Sequence, residues 1–188
     1  MSESPFKNES LRFDIRLARP FEWQDYRNIR LKAINSEDST MLGHVNAEKQ
    51  KDRVEDDAYW QKDVASDNKD KIVVLAWVGT KAVGMSVADK DKSGWSMGSA
   101  YVEENVRDQG INKKMFALRL KEILKRGGES VKLAIMTGNE PSLHISRDLF
   151  KAEFIEEIEV AGKTWYLFEI DLTRPEVIKK INEVLNAG

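Results

Sequence analysis

A strand that turns directly into a long helix, apolar on two sides, constrains this chain more than any other feature. Residues 95–126 read WSMGSAYVEENVRDQGINKKMFALRLKEILKR, a short strand, a turn around Gly110, then a helical pattern. At about 100° per residue, Phe116, Leu120, Ile123 and Leu124 fall on one side of that helix and Ile111, Met115 and Leu118 nearly opposite. A helix of this kind belongs in a core, with Lys114, Lys121 and Lys125 on its wet seam and Gly127-Gly128 ending it. The turn carries a chemical implication too. A loop that runs straight into a helix start aims unpaired N–H groups and the positive end of the helix dipole at whatever lies in front, which suits a phosphate or pyrophosphate.

The rest of the chain supplies layers around this unit. Residues 1–10 are polar and read as a flexible N-terminus, leaving one domain over 11–188. Phe13, Ile15 and Leu17 alternate with polar neighbours as in a half-buried strand. Pro20 opens a helix with Trp23, Tyr26, Ala33 and Ile34 on one face, and a second helix is expected over 47–64, capped by Asn46. The run KIVVLAWV over 71–78 predicts a strand covered on both faces. Gly79-Thr80 turn it into a hairpin partner over 82–88, and a polar link over 89–94 leads to the Trp95 strand.

After the long helix come a short strand over 131–136 and a helix begun by Pro141. A hairpin follows over 154–160 and 163–172, and then a tail helix over 173–188. Thr173-Arg174-Pro175-Glu176 reads as its capping box, and Val177, Ile178, Ile181, Val184 and Leu185 share one face. That face must pack on the body or on a second subunit. The order β, α, α, β, β, β, α, β, α, β, β, α predicts an α+β fold with a central mixed sheet flanked by helices.

Composition removes several function classes. The 188 residues carry a formal charge of −2 and no Lys/Arg run, so nothing directs the chain to nucleic acid. Cysteine is absent and histidine occurs twice, which excludes a disulfide, a Cys nucleophile and a thiolate zinc site, and makes no metal the expectation. No stretch approaches the ~18 apolar residues of a membrane span, and residues 1–10 lack a signal-peptide core, so the expected location is the cytoplasm without membrane contact.

The residues Arg107-Asp108-Gln109-Gly110-Ile111-Asn112, on a strand-to-helix turn after Tyr101-Val102, resemble the acyl-CoA-binding motif Arg/Gln-x-x-Gly-x-Gly/Ala of the GNAT superfamily of N-acyltransferases. The resemblance extends element by element from about Phe13 to Asp171, with the tail helix additional. It implies a splayed central sheet whose cleft holds the pantetheine arm, acetyl-CoA as acyl donor, an amine acceptor and, as is common in this family, a homodimer. It further implies that amides from about Gln109 to Lys113 hold the pyrophosphate, aided by Arg107. The main chain of Ala100, Tyr101 and Val102 would hold the pantetheine and thioester, with the Ala100 N–H facing the oxyanion. Asn139 and Ser142 would contribute from the helix after the next strand. Asn112 departs from the Gly or Ala of the motif, which bears on affinity.

Ser96, Gly98 and Ala100 alternate on one strand face and are all small, leaving room for a substrate or for a packed helix. The family's usual catalytic side chains are missing: the place of its strand carboxylate is Ser96, and the place of its helix Tyr is Ser146. His144 and Ser146 are the candidates for the acid. Glu37, Asp38, Glu55, Asp56 and Asp57 could attract a cationic amine or simply be solvated surface. The reading is direct attack of a primary amine, from a small-molecule acceptor, on acetyl-CoA in a ternary complex. Alternatives are a non-catalytic acyl-CoA sensor and a protein N-terminal or lysine acetyltransferase.

Overall fold

The computed structural model describes residues 12–36, 53–160 and 162–187. Seven strands form one mixed sheet in the order β1-β2-β3-β4-β5-β7-β6. They are β1 (Phe13–Leu17), β2 (Lys71–Val78), β3 (Lys81–Asp91), β4 (Gly94–Val102), β5 (Ser130–Met136), β6 (Glu153–Val160) and β7 (Lys163–Asp171). The helices are α1 (Trp23–Ile34), α2 (Asp57–Asp63), α3 (Ile111–Lys125), α4 (Glu140–Leu143) and α5 (Pro175–Asn186). The apolar run of β2 is buried on both faces as its sequence requires. Ile72, Val74 and Ala76 join a core with α3, α4 and α5, whereas Val73, Leu75 and Trp77 join a second core with α1 and α2.

Neighbouring strands are antiparallel except β4 and β5. That parallel pair is brief, joining Trp95↔Val131, Ser96↔Lys132 and Met97↔Leu133. Beyond Met97 the two strands separate. β5 stays paired with β7 out to Met136↔Trp165, while β4 follows β3 toward Val102. The sheet therefore splays at the level of the α3 turn.

Four local expectations are corrected. Residues 53–55 form a turn, and the second helix begins at Asp57, because the Asp56 carboxylate caps it by accepting the Tyr59 N–H at 3.0 Å; residues 46–52 of that expected helix lie outside the described residues. The polar stretch 89–94 is no link. It continues the ladder through Asp89↔Ser96, Lys90↔Trp95 and Asp91↔Gly94, with the Asp91 carboxylate accepting Ser93 N–H and Oγ–H at 2.7 and 2.6 Å. Its polarity reflects an exposed hairpin tip. Thr173 does not cap α5 either: its N–H and Oγ–H both go to Asp171, and the N-cap residue is Arg174 without a side-chain cap bond.

The small residues of β4 do not share one face either. Met97 packs in the α3 core and Tyr101 in the α1–α2 core, although residues four apart on a regular strand share a face. The register shows why: Val87 faces Gly98 and Met85 faces Tyr101, so Ser86 alone spans both Ser99 and Ala100. Ser99, at φ 52°, marks a β-bulge that reverses the side-chain alternation, so Ser96 and Gly98 do not share a face with Ala100. The apolar face of α5, with Val177, Ile181 and Val184 buried, packs on α3 of its own chain.

Candidate active site

The splay between β4 and β5 opens a cleft of about 500 Å³. One wall is β4 from Met97 to Val102, the other β5 from Leu133 to Met136 with Asn139, Pro141, Ser142 and Ile145 beyond it. The start of α3 closes one end with Arg107, Asp108, Gly110, Ile111, Asn112 and Lys113, and Phe116 and Arg119 also line the space. Of the expected binding residues, Ala100, Tyr101, Val102, Arg107, Asp108, Gly110, Ile111, Asn112, Lys113, Asn139 and Ser142 all line this cleft; Gln109 does not.

The turn before α3 is wound by left-handed residues on either side of Gln109, Asp108 at φ 61° and Gly110 at φ 73°. Asp108 tolerates this conformation better than most side chains and glycine tolerates it freely. Gly110 is the N-cap and supplies no side-chain cap. Its carbonyl accepts the Lys114 N–H at 3.1 Å, so the amides of Ile111, Asn112 and Lys113 precede the first bond of the helix. They form the positive end of a 15-residue helix. Beside them Arg107 donates through Nε to the Val102 carbonyl at 3.1 Å, which keeps its charge at the end of β4. Asn112 lines the same corner with Oδ1 buried and without a donor among the described residues.

Across the cleft, the Asn139 side chain accepts the Ser142 N–H at 3.3 Å and so caps α4. The next turn widens: His144–Leu149 is π-helical, ending with Phe150 N–H bonded to the Ile145 carbonyl at 3.2 Å. This places the two candidate acids outside the cleft lining. His144 is exposed, with Nδ1 3.0 Å from Asp148. Ser146 is fully buried and gives its hydroxyl to the Ser142 carbonyl at 2.8 Å. The early acidic residues are also placed elsewhere. Asp56 caps α2 and pairs with Arg53, Asp57 pairs with Arg27 at 3.1 Å, and Glu55 is exposed; Glu37 and Asp38 lie outside the described residues.

Among the described residues five buried ionic side chains escaped the sequence reading, Glu22, Arg30, Asp63, Glu103 and Arg119, and the last two adjoin β4. Arg119, on α3, reaches the carbonyls of Val87 and Gly98, the register pair next to the bulge. Glu103, just past β4, is 4% exposed and accepts from Lys32 at 2.6 Å and Lys81 at 2.7 Å, tying α1 and β3 to the strand end. Among the described residues no group of three or more His, Asp or Glu is placed to hold a metal.

A mixed sheet that splays beside a helix N-terminus, with the first residues of that helix lining the gap, is the arrangement of an acyltransferase type of fold. The sequence comparison agrees: residues 30–149 match the Acetyltransferase (GNAT) family, and the chain belongs to that family. Among solved structures it is similar to the N-acetyltransferase PaiA of Thermoplasma acidophilum in complex with coenzyme A. That pair shares 12% identity over 85% of this chain and 99% of the other, with a TM-score of 0.64. It is also similar to the yncA protein of Salmonella typhimurium with its cofactor acetyl-CoA, at 14% identity over 86% and 94% of the two chains and a TM-score of 0.66. A third is ribosomal-protein-alanine N-acetyltransferase of Brucella melitensis, at 17% identity, 84% and 99% coverage and a TM-score of 0.59. At these identities the likeness is one of fold. A comparison with curated proteins gives no match.

Proposed function

We propose that this protein transfers the acetyl group of acetyl-CoA to the primary amine of a small molecule, in a ternary complex without a covalent enzyme intermediate. One observation carries the reading: the residues whose amides precede the first helical bond of α3, introduced by a left-handed Gly110, line the end of the cleft between β4 and β5. The amides of Ile111, Asn112 and Lys113 would take the pyrophosphate, with Arg107 and Lys113 adding positive charge. The pantetheine arm would then run between β4 and β5, with Asn139 and Ser142 on its far side. The thioester would lie against Ser99 and Ala100, where the bulge removes β4 from its ladder.

The chemistry requires a neutral amine to attack the thioester carbonyl carbon. The C–N bond forms, the carbonyl oxygen takes up negative charge near the Ala100 N–H, and the C–S bond then breaks to release CoA thiolate. Thiolate gains a proton and the new amide loses one. With His144 and Ser146 outside the cleft lining, water in the open cleft is the carrier of both. Binding the two reactants side by side supplies the rate enhancement mainly through orientation.

The scarcity of carboxylate and imidazole groups in the cleft favours one second reading, a non-catalytic sensor of acyl-CoA. Release of free CoA thiol from acetyl-CoA, measured across a panel of amines, separates the two. Turnover with an amine is the expected result. Binding by calorimetry without turnover on any acceptor supports the sensor, and no binding of any CoA ester overturns the placement of the phosphates.

A further inference from the structure

Arg119 occupies a position on α3 where the helix faces the sheet, and it is 2% exposed. Among the described residues no carboxylate is within ion-pair distance of it. Its guanidinium lies over the Phe116 ring, 5.4 Å from the centroid, and its Nε has no acceptor among those residues. Burial with nothing to offset it pulls its pKa down to about 9, so it remains a cation at neutral pH. Desolvating a charge without a counter-ion is costly, and an apolar side chain of similar volume would fill the same space without that cost. Packing alone therefore gives no reason for an arginine here.

Its bonds supply one. Nη1 donates to the Val87 carbonyl at 2.8 Å and to the Gly98 carbonyl at 3.2 Å. Those residues face each other as the last register pair before the bulge, and the next pair is Met85↔Tyr101. A bulge takes its extra residue out of the ladder and leaves the local bonding incomplete. The guanidinium donates at this point, from a side chain that also lines the cleft.

We propose that Arg119 is a positioning residue of the acyl site: by holding the Val87 and Gly98 carbonyls it locks the β4 bulge, and the locked bulge presents the Ser99 and Ala100 backbone to the cleft instead of to β3. The proposal rests on the acetyl-transfer reading for its functional consequence, but not for its structural one. Arg119→Met removes charge and donors while conserving volume and apolar packing, so it folds with a melting temperature no lower than wild type. Arg119→Lys keeps a short-reach cationic donor that can meet one or both carbonyls.

The test combines two readouts. By amide hydrogen exchange, Arg119→Met speeds exchange in residues 85–87 and 98–101 by about tenfold or more and leaves β2 and α5 unchanged; Arg119→Lys restores part of the protection. By steady-state kinetics, Arg119→Met lowers kcat by about 100-fold with the KM for acetyl-CoA within about threefold, since the pyrophosphate site is untouched, and Arg119→Lys recovers about tenfold. Unchanged exchange at the bulge overturns the proposal whether or not the wild type turns over. Faster exchange with unchanged kcat overturns the link to catalysis. A wild type that neither binds nor transfers acetyl-CoA sinks the acetyl-transfer reading, while the exchange result still decides what Arg119 does.

Discussion

At the scale of single residues, Gly110 and Glu103 separate binding from stability. Gly110 combines φ 73° with space around its Cα: an added Cβ would meet Lys113 Cε at 3.9 Å and nothing nearer. Gly110→Trp therefore costs the fold about 1–2 kcal/mol of backbone strain, while its ring stands where phosphate oxygens would approach the α3 amides. The expected result is cooperative unfolding near that of wild type and a dissociation constant for acetyl-CoA raised at least about tenfold; unchanged affinity by calorimetry would refute the phosphate placement. Glu103 acts on stability. Burial alone would raise its pKa, but Lys32 and Lys81 more than reverse that and hold the carboxyl below its ordinary 4.5. A carboxylate lowered in the folded state contributes stability in full above its unfolded pKa and loses it as pH falls through the folded one. Glu103→Gln should thus cost about 2 kcal/mol at pH 7, and the urea stability curves of mutant and wild type should converge as pH drops from about 5 into the range below the lowered pKa.

At the scale of elements, the legible parts were those written in apolar periodicity. KIVVLAWV became β2 over the same residues, and the two-faced pattern of 111–125 became the helix that lies in the core. The turn residues lining the cleft were also expected, apart from Gln109, which does not line it, because Arg107–Asn112 resemble a family motif on a loop that runs into a helix start. What could not be read depends on long-range pairing. The bulge at Ser99 exists only in the register between β3 and β4, and no local pattern in GWSMGSAYV announces it. Arg119 was hidden for the related reason that an arginine among helical apolars reads as a solvated side chain until the carbonyls it meets are known. The end of α3 tests how tightly these elements dock. A Cβ on Gly128 would lie 2.5 Å from Ile123 Cγ2 and 2.7 Å from Trp95 Cδ1, pressing the helix stop against the first residues of β4. Gly128→Ala should cost about 1–3 kcal/mol by overpacking, with a shift in tryptophan emission as Trp95 moves; equal stability would mean that the helix end and β4 are not in register contact.

For the molecule as a whole, the two cores and the cleft predict how ligand binding couples to unfolding. The cleft walls come from β4, β5, α3 and α4, which belong to one continuous core with β2, β7 and α5, so acetyl-CoA bound as proposed would clamp elements that unfold together. A ligand bound by the native state alone, at 100 times its dissociation constant, adds about 2.7 kcal/mol. For a chain of this size that corresponds to a rise in melting temperature of about 5–10 °C. The shift should be retained in Arg119→Met, which leaves the proposed pyrophosphate grip alone, and fall to about half or less in Gly110→Trp, whose fold is intact. That crossed pattern assigns the affinity to the start of α3 and the reactivity to the β4 bulge. If both variants lost the shift, Arg119 would be holding the cleft open as a whole, and the separation of grip from positioning would fail.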